Sequence, residues 1–384
     1  MKYKLGDIVT VLGDGLHGTP KYDDNGEYYF LNGNNIENGK LVIKPDTKRV
    51  NHEEYLKYRK ELNDRTILVS INGTLGKVGT YNNEKCILGK SACYFNIKES
   101  VNKEYIKFLL TGKNFQDYIE NYATGTTIKN MSLKAMKDFE FELPDRDIQD
   151  KVAYILNSIT SKIEANTHTN NNLYEIGKAL YQEYFENEEY TNNYEIKQLS
   201  DVTTNNRNKI DQTKEYKVLS AVNTGNLVLS DDYFDKQVYS KDIGKYLNVD
   251  KNDFAYNPAR INIGSIGLNT FDYNCCVSPV YVTFSVDKDY IDFFDFYFKS
   301  KKFNAEVTLR ASGSVRQALN YNDFGMIEIP YPTKEMIDKF NNSYKTLKER
   351  ININKIKIRN LEQLRDTLLP KLMNGEIDLD KVEI

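Results

Sequence analysis

Tryptophan is absent from the 384 residues, histidine occurs three times and cysteine four times. The cysteines, Cys86, Cys93, Cys275 and Cys276, show neither a disulfide framework nor C-x-x-C spacing, and three scattered histidines do not complete a zinc site with them. A reducing, cytoplasmic setting is expected, and a metal is not. No apolar run reaches 18 residues, and the start, Met1-Lys-Tyr-Lys-Leu-Gly6, has no apolar signal core, so neither a membrane span nor a secretory leader is expected. A strong basic excess is missing as well. The formal net charge is -3, distributed as +2 over 1-144, -5 over 145-190, -2 over 191-332 and +2 over 333-384. Phosphate neutralisation alone would give weak affinity for nucleic acid, so DNA binding needs local basic loops or a partner that supplies positive surface.

Catalytic constellations are also lacking. Gly89-Lys-Ser91 has the tail of a phosphate loop, but Glu84 stands where its first glycine belongs. Asn257-Pro-Ala-Arg260 shares only two residues with the Asn-Pro-Pro-aromatic motif of amino-methyltransferases, and no glycine-rich cofactor loop precedes it. Pro144-Asp145 has no acidic-x-Lys partner at nuclease spacing. The chain is expected to do no covalent chemistry and to hold no cofactor.

What the sequence does contain is a repeat. Met336, Phe340, Leu347, Leu361, Leu364 and Leu368 fall at the spacing of one apolar helical stripe, with Arg350, Asn354 and Lys357 between them, and Gly375 ends it. The same stripe occurs 188 residues earlier as Ile148, Val152, Ile159, Leu173, Ile176 and Leu180, with Asn166 beneath Asn354 and Pro144 beneath Pro332. A fixed offset over a whole helix marks a repeated unit. Upstream, Gly76 and Gly79 match Gly264 and Gly267, Phe115 matches Phe303, Ala123-Thr-Gly-Thr126 matches Ala311-Ser-Gly-Ser314, and Phe139 and Phe141 match Ile327 and Ile329. Near the two starts the offset becomes 194, pairing Leu5-Gly-Asp7 with Leu199-Ser-Asp201.

Each copy begins as a mixed domain. Residues 1-144 carry short period-two segments (67-71, 92-97, 139-143), turn clusters such as Gly13-Asp-Gly15, and one helix expected from Lys103 to Tyr122. The fold class is α+β, with a curved sheet. Polar side chains gather in the loops flanking the strands: Asn72, Thr74 and Lys77 about the glycine turn, Lys90 before a strand, and Thr126, Thr127, Lys129 and Asn130 after Gly125. In the second copy Tyr256-Asn-Pro-Ala-Arg-Ile-Asn-Ile-Gly-Ser-Ile-Gly267 replaces residues 68-79, and Gly313-Ser-Val-Arg-Gln317 replaces 125-129. The framework is kept while the polar loop residues change, the pattern expected of two readers of different sequences.

The order domain, long helix, domain, long helix, taken with the segment 256-267, the Gly-Ser loop leading to Ile327-Glu-Ile-Pro330, and Leu361-Glu-Gln-Leu-Arg-Asp-Thr-Leu-Leu-Pro-Lys-Leu-Met-Asn-Gly-Glu-Ile377, resembles the specificity subunit of type I restriction-modification enzymes. The resemblance covers essentially the whole chain. It implies target-recognition domains at 1-144 and 194-332, conserved long helices at 145-186 and 333-375, a linker at 187-193 and a tail at 376-384. The two helices would be an antiparallel, coiled-coil-like pair relating the halves by a pseudo-twofold axis. By their stripe positions, Asn166 and Asn354 read either as residues that mark the middle of the pair and fix register or as polar residues on solvated faces. Each domain would read half of a bipartite double-stranded DNA target while the helices set the gap. Modification subunits, two of them, would dock on the helices and use S-adenosylmethionine; a restriction subunit would use ATP with Mg.

The expected DNA-contacting residues are Asn72, Thr74, Lys77, Lys90, Thr126, Lys129 and Asn130 in the first half, and Asn257, Arg260, Asn262, Ser314, Arg316 and Gln317 in the second. Arginine's fork matches guanine O6 and N7 in the major groove, although Arg260 and Arg316 read equally as surface arginines. A repeat scaffold that binds only proteins, and a stand-alone DNA-binding regulator, are the alternative readings.

Overall fold

The computed structural model describes residues 2-125, 129-191, 194-234, 237-310 and 318-379. It divides into two units, Met1-Thr167 with Asn354-Ile384, and His168-Ile353, so each long helix contributes one half to each unit.

In the first unit a six-stranded sheet runs in the order Val9-Asp14, Ala92-Ile97, Thr66-Ser70, Val78-Thr80, Gly39-Leu41, Ile36-Glu37. Its middle strands are buried throughout, because both faces are covered. Ile67, Val69, Cys93 and Phe95 point to the helices Lys103-Thr111 and Lys113-Tyr122, while Leu68, Ala92 and Tyr94 meet Leu31 and Leu88 of a second sheet. That second sheet orders Arg49-Val50, Tyr28-Leu31 and Cys86-Leu88, the last pair parallel. One helix was expected over 103-122; there are two, because Gly112 breaks the run and its N-H bonds back to the carbonyls of Phe108 and Leu109.

The second unit repeats the order of four strands in the main sheet and distributes the remaining strands differently. Thr203-Asn206, Val282-Val286, Phe254-Tyr256 and Ile266-Leu268 form one sheet, and Asn226-Leu229, Lys217-Val222, Cys275-Val277 and Leu247-Val249 the other. Its helices Lys301-Arg310, Tyr321-Gly325 and Lys334-Met373 begin 188 residues after Lys113, Leu133 and Arg146, the first residues of their counterparts.

The long helices are Arg146-Phe185 and Lys334-Met373, 40 residues each. The second continues through Pro370 and ends at Gly375, whose φ of 68° suits a glycine stop. Within the first unit Val152, Ala153 and Leu156 share a core with Leu368 and Leu372; within the second, Tyr181 and Phe185 share one with Ile337, Phe340 and Tyr344. In both places the start of one helix meets the end of the other, an antiparallel pairing.

A seam of buried and half-buried positions alternates steps of three and four along each helix. On the first it is Gln149, Val152, Leu156, Ile159, Ile163, Asn166, Asn170, Leu173, Gly177, Leu180 and Tyr184. On the second it is Ile337, Phe340, Tyr344, Leu347, Ile351, Asn354, Ile358, Leu361, Arg365, Leu368 and Leu372, again 188 later throughout. A mean step of 3.5 is the coiled-coil period. The expected stripe shares Val152, Ile159, Asn166, Leu173, Leu180, Phe340, Leu347, Asn354, Leu361 and Leu368 with this seam. Ile148, Ile176 and Leu364 differ: they are 37%, 50% and 46% exposed, each one residue from a seam position held by Gln149, Gly177 or Arg365, and Met336, half-buried, likewise lies one residue from the seam residue Ile337. A count of apolar residues picks the neighbour when the seam residue is polar or lacks a side chain. The expected linker also contains a short helical turn, Glu188-Thr191.

Candidate nucleic-acid interface

In the first unit, strands Val9-Asp14 and Thr66-Ser70 flank Ala92-Ile97 and run opposite to it, so the ends of the first two and the start of the third lie at one edge of the sheet. There the chain makes its glycine turn. Ser70 closes it: Ser70 N and O bond to Lys77 O and Gly76 N, each at 2.9 Å, and Lys77 N donates to Ser70 Oγ at 2.9 Å. Gly76 sits at φ 77°, a conformation that excludes most side chains, and Gln116 Nε2 donates to its carbonyl at 3.0 Å. Gln116 was not visible as a site residue in the sequence; it reaches the turn from the helix Lys113-Tyr122.

Next to the turn the returning segment is stitched on by Gly73 N to Lys129 O (3.1 Å) and Met131 N to Ile71 O (2.9 Å). This brings Asn72 and Asn130 together, with Asn72 Nδ2 donating to Asn130 Oδ1 at 3.3 Å. Lys129 forms an ion pair with Glu120, which occupies its charge. Thr74 and Lys90 are exposed and Lys77 is half-buried; neither Lys77 nor Lys90 makes an ion pair among the described residues. Lys90 N donates to Leu16 O, and Ser91 O accepts from Ile71 N at 2.9 Å, so Lys90 belongs to the same edge. Thr126 lies outside the described residues, as do Ser314, Arg316 and Gln317 in the second half.

In the second unit the equivalent turn is closed by Asn257 N to Ser265 O (3.0 Å) and Ser265 N to Arg260 O (3.1 Å), with Gly264 at φ 87°. Asn257 Oδ1 accepts from Ala259 N at 3.0 Å, which uses its carbonyl oxygen to shape the loop. Arg260 is exposed with no ion pair among the described residues; Asn262 is half-buried. Leu319 N bonds to Pro258 O at 3.0 Å, matching the Met131 anchor at the offset of 188.

The strands correct the residue-by-residue match in this region. Across the ladders Val69 faces Val78 and Tyr256 faces Ile266. Since Val78 and Ile266 are 188 apart, Tyr256 occupies the place of Val69 and not of Leu68, and Asn257 that of Ser70. The second turn is therefore one residue longer, and it uses the extra length in the single helical turn Ile261-Ile263 that follows Arg260. Offset 188 had placed Arg260 over Asn72; the two loops share their ends and differ between them.

Burial pushes the Cys86 and Cys276 thiols up to about 12, far from nucleophilic thiolate. Among the described residues no group of three or more His, Cys, Asp or Glu is placed to hold a metal ion, and no helix is long and apolar enough to cross a membrane.

Known proteins match this architecture. Residues 1-175 match the model of the type I restriction modification DNA specificity domain. The chain is 23% identical over 349 residues to the type I restriction enzyme MjaIX specificity subunit of Methanocaldococcus jannaschii, covering 83% of this chain and 78% of that one. A 69-residue stretch, 18% of this chain and 15% of the relative, is 39% identical to the HindI specificity subunit of Haemophilus influenzae. The fold is shared with the crystal structure of the type I restriction-modification S subunit from M. genitalium, at a TM-score of 0.56 and 16% identity over 97% of this chain and 96% of that one. The first 175 residues thus carry a type I restriction modification DNA specificity domain, and the chain is similar over most of its length to a type I restriction enzyme specificity subunit.

Proposed function

We propose that this chain is the DNA-reading subunit of a type I restriction-modification complex, each unit recognising one half of a bipartite double-stranded target. The observation that carries the reading is the pair of glycine turns. They are built alike, held at the same edge of the same sheet and anchored by Met131 and Leu319, yet they present different polar side chains. A conserved edge with changed side chains is what base readout needs: the backbone positions, and the side chains specify. Residues 1-144 and 194-332 are the recognition domains in this proposal. The long helices space the half-sites and carry two modification subunits, which methylate with S-adenosylmethionine; a restriction subunit supplies ATP- and Mg-dependent cleavage.

The near-neutral recognition segments support a division of labour in which partners provide much of the phosphate attraction. The purified chain alone is expected to bind DNA weakly at physiological salt. Co-expressed with modification subunits, it is expected to direct methylation to one split motif, read by sequencing methylated host DNA. Methylation without a motif, or nanomolar specific binding by the chain alone, contradicts the proposal.

A further inference from the structure

Resting on that reading, we infer that each unit has a second DNA-contacting arm: the segment that follows the first strand of its main sheet, residues 14-18 in the first unit and 207-209 in the second. Arg207 and His17 are its contact residues.

The argument starts from topology. In the second unit, Thr203-Asn206 and Phe254-Tyr256 both pair antiparallel with Val282-Val286, one on each side. The two outer strands point the same way and end at the same edge, two strand spacings apart, about 10 Å. The chain leaving the second of them becomes the Asn257-Gly264 turn with Arg260. The chain leaving the first enters Arg207-Asn208-Lys209, all exposed, with Arg207 and Lys209 free of ion pairs among the described residues. Asn208 O accepts from Asn248 N at 2.8 Å and Lys209 bridges to Leu247, so the arm is fixed by its backbone while its side chains stay available. Strand ends about 10 Å apart on one edge, one leading into Arg207 and the other into the turn that carries Arg260, suit the ~12 Å width of a major groove.

The first unit builds the same edge with other chemistry. Val9-Asp14 and Thr66-Ser70 flank Ala92-Ile97 in the same manner. The ladder puts Asp14 where the second unit has Arg207, because Leu12 faces Phe95 as Asn205 faces Phe284. Past Asp14 the arm is tied to the glycine-turn edge by Leu16 N to Leu88 O (2.7 Å) and Lys90 N to Leu16 O (3.0 Å). His17 then stands 72% exposed, with Nε2 2.6 Å from Asp14 Oδ2. Asp14, largely covered, acts as a positioning residue: it holds the imidazole and leaves the other ring nitrogen facing outward for DNA.

Neither segment resembles a site by composition. A glycine-rich turn with one histidine, and an Asn-Arg-Asn-Lys run before a strand gap, both read as ordinary loops until the strand order places them beside the known turns.

The test uses the full chain in complex with its modification subunits and measures methylation of duplexes carrying the mapped target and its single-base variants. Arg207→Ala is expected to lower the rate roughly 5- to 150-fold, or to relax one base, in one half-site only. His17→Ala is expected to act in the other half-site. A loss spread evenly over all sequences with a salt slope smaller by about one also supports contact, through phosphate. Thermal unfolding should be unchanged, and Arg207→Lys should recover a phosphate contact but not a bidentate one. Wild-type rate and selectivity in both alanine variants, alongside a specific wild-type complex, overturn the inference. A wild-type complex that methylates with no sequence preference overturns it together with the proposed function.

Discussion

The same place in the two units is filled by different chemistry. Where Ile67 faces Phe95 in the first unit, Phe254 faces Phe284 in the second, their rings 5.4 Å apart and nearly parallel. The contrast extends through the cores around them. Sixteen of the twenty-six buried residues clustered in the second unit are aromatic, against six of twenty-five in the first. The helix seam shows how the bulk is accommodated: a Cβ on Gly177 would lie 2.5 Å from Tyr344 Cε2 and 3.0 Å from Phe296 Cζ, so only glycine admits those rings. The positions matched by the offset to Gly177 and Tyr344 are Arg365 and Leu156. The order of four strands in the main sheet, the turn anchors and the seam period are common to the units while most of the residues filling them are not. The backbone plan is what repeats, and each core is packed to its own solution.

That comparison is broken most severely by Phe254→Ala, expected to cost about 3-5 kcal/mol, with loss of amide protection confined to the second unit in hydrogen exchange. The first unit should show the milder behaviour of an aliphatic site, with Ile67→Val costing about 0.5-1.5 kcal/mol. Gly177→Val should cost about 1-3 kcal/mol in urea unfolding through overpacking against Tyr344 and Phe296, whereas Arg365→Ala, at the matched position, should change stability by less than about 0.5 kcal/mol.

A smaller effect sharpens the comparison through pH. Burial raises the Asp253 carboxyl from its ordinary 3.8 to about 6, against the opposing hydrogen bond from Asn206 Nδ2 at 3.1 Å. A carboxyl whose pKa is raised on folding adds stability below its unfolded value, and that stability is lost as pH rises through the folded value. The second unit should therefore lose about 1 kcal/mol between pH 4 and 6, after allowing for solvent screening. Asp253→Asn should flatten that slope in pH-dependent thermal melts. The first unit has Thr66 at this place, its hydroxyl bonded to Asn96 Oδ1 at 2.6 Å, and no titration to show. The smallest expected change is Tyr256→Phe. The Tyr256 hydroxyl is buried with no hydrogen-bond partner among the described residues, and Val69 holds the corresponding place. Removing the hydroxyl should leave stability unchanged or raise it by up to about 1 kcal/mol.

The helices were legible in the sequence because their period is long and redundant: eleven seam positions recur at one offset, and a few misplaced members such as Ile148 and Ile176 do not disturb it. The strands were less so. The strand ahead of the second glycine turn matches its counterpart at an offset of 187 and the longer turn restores 188, so the turn glycines and the next helix keep the offset while that strand is slipped by one. In a strand such a slip reverses every side chain. It became visible only when Ile67 and Phe254 proved to share a face. Gln116 and Asp14 were not recognisable because their roles depend on a helix and a loop packing against residues distant in the chain. Asn354 is buried, whereas Asn166 is half-exposed and bonds to its own helix at Lys162 O, 2.7 Å, so two residues equivalent in sequence differ in surroundings.

The claim that the two units read DNA independently is tested most directly by replacing residues 194-332 with the corresponding domain of another family member and mapping the methylated motif of the resulting complex. One half of the motif should change while the other half and the gap stay as they were. Both halves changing together, or neither changing, would contradict the account.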